Sequence, residues 1–140
     1  MDVTKNEWLK SVMKRLAGIA AAAAIVSVAS LAQAQQPIKI GMGIAQTGPL
    51  GAGGRASLVA MQMWRDDVNA KGGLLGRKVE LLAYDDQSNP SVVPGIYTKL
   101  LDIDKVDLLV APYGTNQTAP IMPLVKERGL LLIGNFSFDV

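Results

Sequence analysis

Short apolar runs alternate with longer amphipathic stretches along most of the chain. The central run, Leu108–Ala111, is almost uninterrupted, which is typical of a parallel strand covered on both faces. It stops at Pro112, which cannot donate to a strand ladder, and a small polar loop follows at residues 113–116. The pattern then predicts a helix from Gln117 to Gly129, so this loop joins a strand end to a helix start.

A loop in this position has the properties of an anion site. The first N–H groups of a helix have no partner within the helix and lie at the positive end of its dipole. Thr115 and Asn116 add a hydroxyl and an amide to the same loop. Because ligands of open α/β sheets bind at the carboxyl ends of the strands, we expect this loop to bind an anionic group such as a carboxylate.

The remaining pattern predicts a β-α-β-α-β-α-β order. Residues 77–84 alternate in a way that indicates a half-covered strand near the sheet edge, whereas Leu130–Ile133 is apolar throughout and is predicted to be a buried strand. The order predicts an α/β fold with an open parallel sheet, helices on both faces and right-handed crossovers. The predicted strands cover residues 37–44, 77–84, 106–111 and 130–133, and the predicted helices cover 54–71, 89–104 and 117–129.

Two features of the predicted helices bear on how they pack. The first helix carries an apolar stripe at helical spacing, which we expect to face the sheet. The later helices contain prolines, and an interior proline removes a hydrogen bond and clashes with the preceding turn. We therefore expect the second helix to begin late or to bend at Pro94, while Pro120 and Pro123 leave the start of the third helix open. The stripe of the first helix consists of Ser57, Ala60, Met61, Trp64 and Val68.

The glycine-rich loop at residues 47–54 matches neither of two phosphate-binding motifs. A dinucleotide fingerprint that starts at Gly41 needs a third glycine where Gln46 stands, and a P-loop that starts at Gly48 needs a lysine where Gly54 stands. The loop therefore gives no indication of a nucleotide cofactor.

Two adjacent carboxylates, Asp85 and Asp86, end the second predicted strand, and a catalytic pair is one interpretation of them. Adjacent side chains of an extended chain point in opposite directions, so these two would not share one substrate. We therefore expect them to accept hydrogen bonds from neighbouring loop amides and to cap the turn at Asn89-Pro90.

The composition narrows the classes of function. The sequence contains no cysteine and no histidine, which excludes thiol catalysis, disulfides, Cys/His zinc sites and a Ser-His-Asp triad. Outside the first 34 residues, basic and acidic side chains are equal in number, which argues against a nucleic-acid surface. We therefore expect a binding protein rather than an enzyme, with no metal and no cofactor.

Residues 1–34 have the three parts of a secretory signal peptide. The basic pair Lys14-Arg15 precedes the apolar run 16–31, and Ala32-Gln33-Ala34 is a small-residue motif for cleavage after Ala34. A transmembrane anchor is the alternative, but spanning a bilayer takes about 20 apolar residues, and this run is shorter. We expect export to the periplasm without a lipid anchor, since the chain has no cysteine, and Met13 is an alternative start of translation.

Several segments together resemble the start of type I periplasmic binding proteins, and most closely the Leu/Ile/Val-binding group of ABC transporters. Members of this family have two α/β lobes that are joined by a hinge and close on an amino acid or a similar small solute. The resemblance identifies residues 35–140 as the first half of the N-terminal lobe, lobe 1. The segments occur in the family's order: Pro37–Ile44, Thr47-Gly48-Pro49, Asn69-Ala70-Lys71-Gly72-Gly73-Leu74-Leu75-Gly76, Tyr84-Asp85-Asp86, Asn89-Pro90 and Val106–Gly114.

The resemblance implies two ligand-binding loops. In the first, Thr115 matches the hydroxyl residue that binds the ligand carboxylate beside backbone amides of the same loop. The implied binding residues are Tyr113, Gly114 and Thr115 in the first loop, and Phe136, Ser137 and Phe138 in the second.

This sequence departs from the family at three positions. Gly53 stands where some members present an aromatic side chain to the ligand, and this difference bears on which solute is bound. Ser88 and Gly114 stand where some members have a disulfide pair, and this difference bears only on stability.

The function implied by the resemblance is that of a periplasmic substrate-binding component of an ABC transporter, for branched-chain or other amino acids or related solutes, with permease subunits as partners. A receptor-type sensor of amides or small acids on the same fold is the alternative, and the signal peptide favours transport. Family members continue through a second lobe, so we expect this chain to be a fragment or truncated product that encodes one wall of the cleft and by itself binds a solute weakly.

Overall fold

The computed structural model of the protein describes residues 36–136. The predicted leader, with its cleavage site after Ala34 and the alternative start at Met13, lies outside the described residues. Ser137 and Phe138 of the predicted second ligand loop also lie outside them. Within residues 36–136, no helix is both long enough and apolar enough to cross a membrane.

Four parallel strands alternate with helices in the predicted order, and the sheet order is β2-β1-β3-β4. The predicted α/β fold with an open parallel sheet is confirmed, and β2 lies at an edge of the described sheet, as its alternating pattern indicates. The strands are β1 (Ile38–Ile44), β2 (Val79–Asp85), β3 (Leu108–Val110) and β4 (Leu132–Ile133). The helices are α1 (Gly51–Ala70), α2 (Val93–Asp102), α3 (Thr115–Thr118) and α4 (Met122–Glu127), with a 3-10 turn at Ala119–Ile121.

The two faces of β1 are packed in different ways. Its large side chains, such as Ile40 and Met42, lie on the face covered by α1 and are buried there. On the other face, a Cβ at Gly41 would lie 2.8 Å from a methyl group of Leu100, so glycine lets α2 approach the strand closely. Tight covering on both faces explains why β1 is the central strand of the core.

Helix α1 is rotated relative to the predicted stripe. Met61 and Val68 pack against the core as expected, but the expectation is wrong for Ala60 and Trp64, which are exposed. The helix meets the sheet at Gly54, which is buried and has no room for a Cβ beside the carbonyl of Ala45. This backbone contact sets the rotation of the helix, and Leu58 packs on the core in place of Trp64.

Prolines determine where the later helices begin. Helix α2 begins at Val93 with Pro94 in its first turn, where a missing N–H has no cost, so the predicted late start is confirmed. The prediction of one helix from Gln117 to Gly129 is wrong, because Pro120 lies in a 3-10 turn that separates α3 from α4. Helix α3 also begins earlier, so Thr115 belongs to its first turn.

The prediction of a buried strand over Leu130–Ile133 is wrong. Only Leu132–Ile133 pairs with β3, and 72% of Leu131 and 45% of Ile133 are exposed. Ile133 is the register partner of Val110 and therefore faces the same side of the sheet. Helix α1 covers that side over β1 and β2, and within residues 36–136 the same face is only partly covered at β4.

Asp85 joins the loop after β1 to the loop after β2. Its Oδ1 accepts hydrogen bonds from the backbone N–H groups of Gln46 at 2.8 Å, Thr47 at 3.2 Å and Gln87 at 2.9 Å, and its Oδ2 accepts one from the Thr47 hydroxyl at 2.7 Å. Partial burial acts to raise the pKa of Asp85, but these four hydrogen bonds outweigh it and lower the pKa to about 2. The interpretation of Asp85 as an acceptor for loop amides is confirmed.

The side chain of Asp86, unlike that of Asp85, is fully buried. Its Oδ1 accepts a hydrogen bond from Ser88 N–H at 2.8 Å, its carbonyl accepts one from Asn89 N–H at 2.8 Å, and its Oδ2 has no partner among residues 36–136. Burial raises the pKa of Asp86, and the nearby negative charge of Asp85 adds to this effect. The two carboxylates therefore have separate hydrogen-bond partners.

We expect Asp85→Asn to lower the free energy of unfolding at neutral pH by about 1–2 kcal/mol, because a charged acceptor forms stronger hydrogen bonds than a neutral one. The pKa of about 2 in the folded state lies below the ordinary value of 3.8, so this contribution is complete above about pH 4 and is lost as the pH falls toward 2. Denaturant unfolding at a series of pH values checks this. Asp67→Asn, at an exposed position of α1, is the control, and an equal loss in both variants would contradict the prediction.

We expect the opposite sign for Asp86→Asn. Because burial raises the pKa of Asp86 in the folded state, its ionisation destabilises the protein as the pH rises above the ordinary value of 3.8. An asparagine keeps the oxygen that Ser88 N–H donates to and carries no charge. The variant should therefore gain stability relative to the natural protein as the pH rises toward 7, measured by the same unfolding series. A stability difference that stays constant with pH would show that Asp86 does not ionise with a raised pKa.

Candidate functional site

The loops after β3 and β4 are held side by side by continued strand pairing. The register of β3 and β4 extends beyond both strands to an isolated parallel bridge between Tyr113 and Phe136. Gly114 N–H donates to the carbonyl of Phe136 at 2.7 Å, and Ala111 N–H donates to the carbonyl of Ile133 at 2.8 Å. The loop after β3 therefore lies directly beside Phe136 of the loop after β4.

A cavity of about 300 Å³ opens between these two loops and the start of α1. Four of the six predicted site residues line it, namely Tyr113, Gly114, Thr115 and Phe136. The other two, Ser137 and Phe138, lie outside the described residues. The complete lining is Leu50, Tyr113, Gly114, Thr115, Asn116, Gln117 and Phe136.

Gly114 makes the turn between strand and helix. Its φ of 111° lies in a region that side chains disfavour, and it is the N-cap of α3. Its carbonyl accepts hydrogen bonds from Thr118 N–H at 3.1 Å and from the Thr118 hydroxyl at 2.9 Å. The chain therefore changes direction within one residue, which places Thr115 at the first position of the helix.

An aromatic pair forms one wall of the cavity. The rings of Tyr113 and Phe136 are stacked, with centroids 5.0 Å apart and planes inclined by 12°. A Cβ at Gly53 in the first turn of α1 would lie 2.5 Å from Cζ and Oη of Tyr113. The sequence marks Gly53 only as the position of a missing aromatic side chain, whereas in the structure Tyr113 comes from another loop and its ring lies beside that glycine.

Leu50, Asn116 and Gln117 also line the cavity. Asn116 belongs to the predicted anion-binding loop, whereas sequence analysis did not identify Leu50 or Gln117 as site residues. Gln117 is 3% exposed, its Nε2 donates to the carbonyl of Ser88 at 3.3 Å, and its Oε1 has no partner among the described residues. A Cβ at Gly114 would lie 2.9 Å from that Oε1. Gln117 thus lies between Ser88 and Gly114, the two positions where the resemblance places a disulfide pair in some members, and no pattern in the sequence indicates this contact.

The cavity lining carries no charged side chain. Across residues 36–136, Asp and Glu side chains form no group of three or more that could hold a metal ion. The lining combines two hydroxyl groups, from Tyr113 and Thr115, with two side-chain amides and a large carbon surface. This arrangement has the character of a binding site, in which a few polar groups orient a ligand and apolar groups enclose it.

Comparisons with known proteins agree with this fold. The sequence profile of the family described as periplasmic binding protein matches residues 37–139. A leucine-, isoleucine-, valine-, threonine- and alanine-binding protein of Pseudomonas aeruginosa is 29% identical over 125 residues, which are 89% of this chain and 33% of that protein. The Leu/Ile/Val-binding protein of Escherichia coli is 26% identical over 98 residues, which are 70% of this chain and 26% of that protein. The chain therefore spans a third or less of the length of these relatives.

Solved structures of similar proteins superimpose on the described part of the chain. The branched-chain amino acid transporter substrate-binding protein of Streptococcus pneumoniae, in complex with isoleucine, has a TM-score of 0.69 and 29% identity over 74% of this chain and 30% of that one. A type 1 periplasmic binding protein of Bordetella pertussis has a TM-score of 0.64 and 31% identity over 69% of this chain and 26% of that one. Because the family profile covers most of the sequence and the sheet superimposes on solved members, the chain belongs to the type I periplasmic binding proteins.

Proposed function

We propose that this chain forms one wall of the solute site in the substrate-binding component of an ABC transporter. The observation that carries the proposal is the position of Thr115 beside the Tyr113–Phe136 pair, in one cavity at the carboxyl edge of the sheet. The names of the relatives support it, since they are amino-acid-binding proteins and one of them is solved with isoleucine bound.

The polar end of the solute is an anion, and a carboxylate fits the groups that are present. The Thr115 hydroxyl donates to a carboxylate oxygen, and the first backbone N–H groups of α3 lie at the same end of the cavity. Leu50 and Phe136 contact the apolar part of the solute, and Ser137 and Phe138 stay predicted binding residues. An amino group, where the solute has one, contacts groups outside residues 36–136, because no acidic side chain lines this cavity.

Transport is the proposed output of binding. A binding protein of this family delivers its solute to permease subunits after export to the periplasm, and the predicted signal peptide over residues 1–34 supports this location. The comparisons favour transport over the receptor-type sensor, since the relatives named above are binding proteins and one is named as part of a transporter. No catalytic step is proposed.

The first test concerns export. If Ala32-Gln33-Ala34 is the cleavage motif, N-terminal sequencing of periplasmic material should give a chain that begins at Gln35. Ala34→Asp should block cleavage and leave the longer chain with the membrane fraction, and Gln36→Asp is the control beyond the motif. A periplasmic product that begins at Asp2 or Met13 would contradict the proposal.

The second test concerns Thr115. In the protein at its natural length, Thr115→Ala removes the hydroxyl that donates to the charged carboxylate of the solute. A hydrogen bond of this kind is worth about 1.5–3 kcal/mol. Since each 1.4 kcal/mol is about tenfold in affinity, calorimetry should show a loss of roughly 10- to 150-fold for the natural solute. Asp85→Asn, which acts on loop stability, should change affinity less.

Two controls separate loss of the hydroxyl from loss of structure. Thr115→Ser keeps the hydroxyl and should keep most of the affinity, and Thr98→Ala removes a threonine from an exposed position of α2. Unchanged affinity in Thr115→Ala, with normal binding in both controls, would remove this residue from the site.

A further inference from the structure

We propose that Ser88 is a positioning residue of the solute site, which holds Leu50 and Gln117 in place and so gives the cavity a preference for solutes with a large apolar group. This inference rests on the proposed function, since it concerns selectivity in the same cavity. It follows from the hydrogen bonds of Ser88 and from the backbone conformation of the turn that carries it.

The turn after β2 holds two successive residues in a backbone conformation that side chains disfavour. The φ angles of Gln87 and Ser88 are 56° and 58°, and neither residue is a glycine. Left-handed conformations of this kind cost free energy, persist only where neighbouring contacts impose them, and are concentrated at ligand sites. The strain in this turn therefore indicates that its shape has a functional purpose.

The two carboxylates before the turn impose this conformation. Oδ1 of Asp85 accepts a hydrogen bond from Gln87 N–H at 2.9 Å, and Oδ1 of Asp86 accepts one from Ser88 N–H at 2.8 Å. Each aspartate thus binds the backbone two residues further along the chain, which is the contact of an Asx-turn. Because Asp85 also accepts hydrogen bonds from the loop after β1, contacts within the protein fix the turn against that loop.

From this turn, Ser88 reaches the two neighbouring loops. Its hydroxyl donates to the carbonyl of Thr47 at 2.7 Å and accepts a hydrogen bond from Leu50 N–H at 3.0 Å. Its carbonyl accepts a hydrogen bond from Nε2 of Gln117 at 3.3 Å. Ser88 does not itself line the cavity, but it holds two residues that do, one directly before α1 and one in α3.

Leu50 and Gln117 meet at the loop after β3. A Cβ at Gly114 would lie 2.9 Å from Oε1 of Gln117 and 3.4 Å from Cδ1 of Leu50, so both side chains lie against that glycine. Among the described residues that line the cavity, Leu50 is the only one with an aliphatic hydrocarbon side chain. If Leu50 loses its position, apolar contact with the solute is lost, and a solute with a larger apolar group loses more of it.

The test is calorimetry on the protein isolated from its host at its natural length, with two matched pairs of carboxylates. Leucine against alanine compares a large and a small apolar group with an amino group present, and 4-methylpentanoate against propanoate does so without one. In each pair that binds, Ser88→Ala should weaken the larger member by about 2- to 12-fold, the equivalent of one hydrogen bond. The smaller member has little apolar surface to lose and should change by less than about twofold.

Two control variants separate positioning from a loss of fold stability. Gln87→Ala alters the neighbouring residue of the same strained turn, which is exposed, and should leave both members of a pair unchanged. Asn69→Ala removes an amide that donates to the carbonyl of Val79 and accepts from Val79 N–H, at the opposite edge of the sheet. This variant should lower the midpoint of thermal unfolding and still leave both affinities unchanged.

The failures are distinguishable. If Ser88→Ala weakens both members of a pair equally, or if Asn69→Ala lowers affinity as much as Ser88→Ala does, then Ser88 has only a structural role and the proposed function stands. Unchanged affinity for the larger member would overturn the inference in the same way. If none of the four carboxylates binds, the proposed carboxylate site fails, and this inference fails with it.

Discussion

The candidate site depends on the pairing of β3 with β4 and on its extension past the ends of both strands. The hydrogen bond from Gly114 N–H to the Phe136 carbonyl, at 2.7 Å, joins two loops that are more than twenty residues apart in the chain. It places Thr115, at the start of α3, beside a stacked ring pair. Without this pairing, the polar and apolar halves of the cavity would not meet. Strand β4 has only two residues and is partly exposed, so the loop that follows it depends on this pairing for its position.

Helices approach the sheet closely where glycine leaves room for them. These contacts explain part of the difference between the predicted fold and the observed one. Apolar runs and alternation identified all four strands and the parallel order. The rotation of α1 was missed because it is set by a backbone contact at Gly54, and glycine has no hydropathy signal. The exposure of Leu131 and Ile133 was missed because an apolar run does not show whether a helix covers it.

The candidate site was predicted in part for the same physical reason. A strand end, a glycine and a helix start identify Tyr113–Thr115 locally, and the family pattern points to Phe136. The contact between Tyr113 and Gly53 joins residues sixty positions apart, so a single sequence gives no spacing from which to infer it. Gln117 was missed because the helix was predicted to begin there, whereas α3 begins at Thr115 and turns the Gln117 side chain toward Ser88.

The central claim is that the carboxyl edge of this sheet, at the loops after β3 and β4, binds a carboxylate. An NMR titration with a carboxylate solute that the protein binds tests this claim, because the chemical shift of each backbone amide reports whether the solute lies near that residue. We predict that the largest shift changes fall on residues 113–117 and on Phe136, while Lys78 and Lys105, which lie toward the opposite ends of the strands, change little. Changes concentrated at that opposite edge, with residues 113–117 unaffected at saturation, would contradict the account.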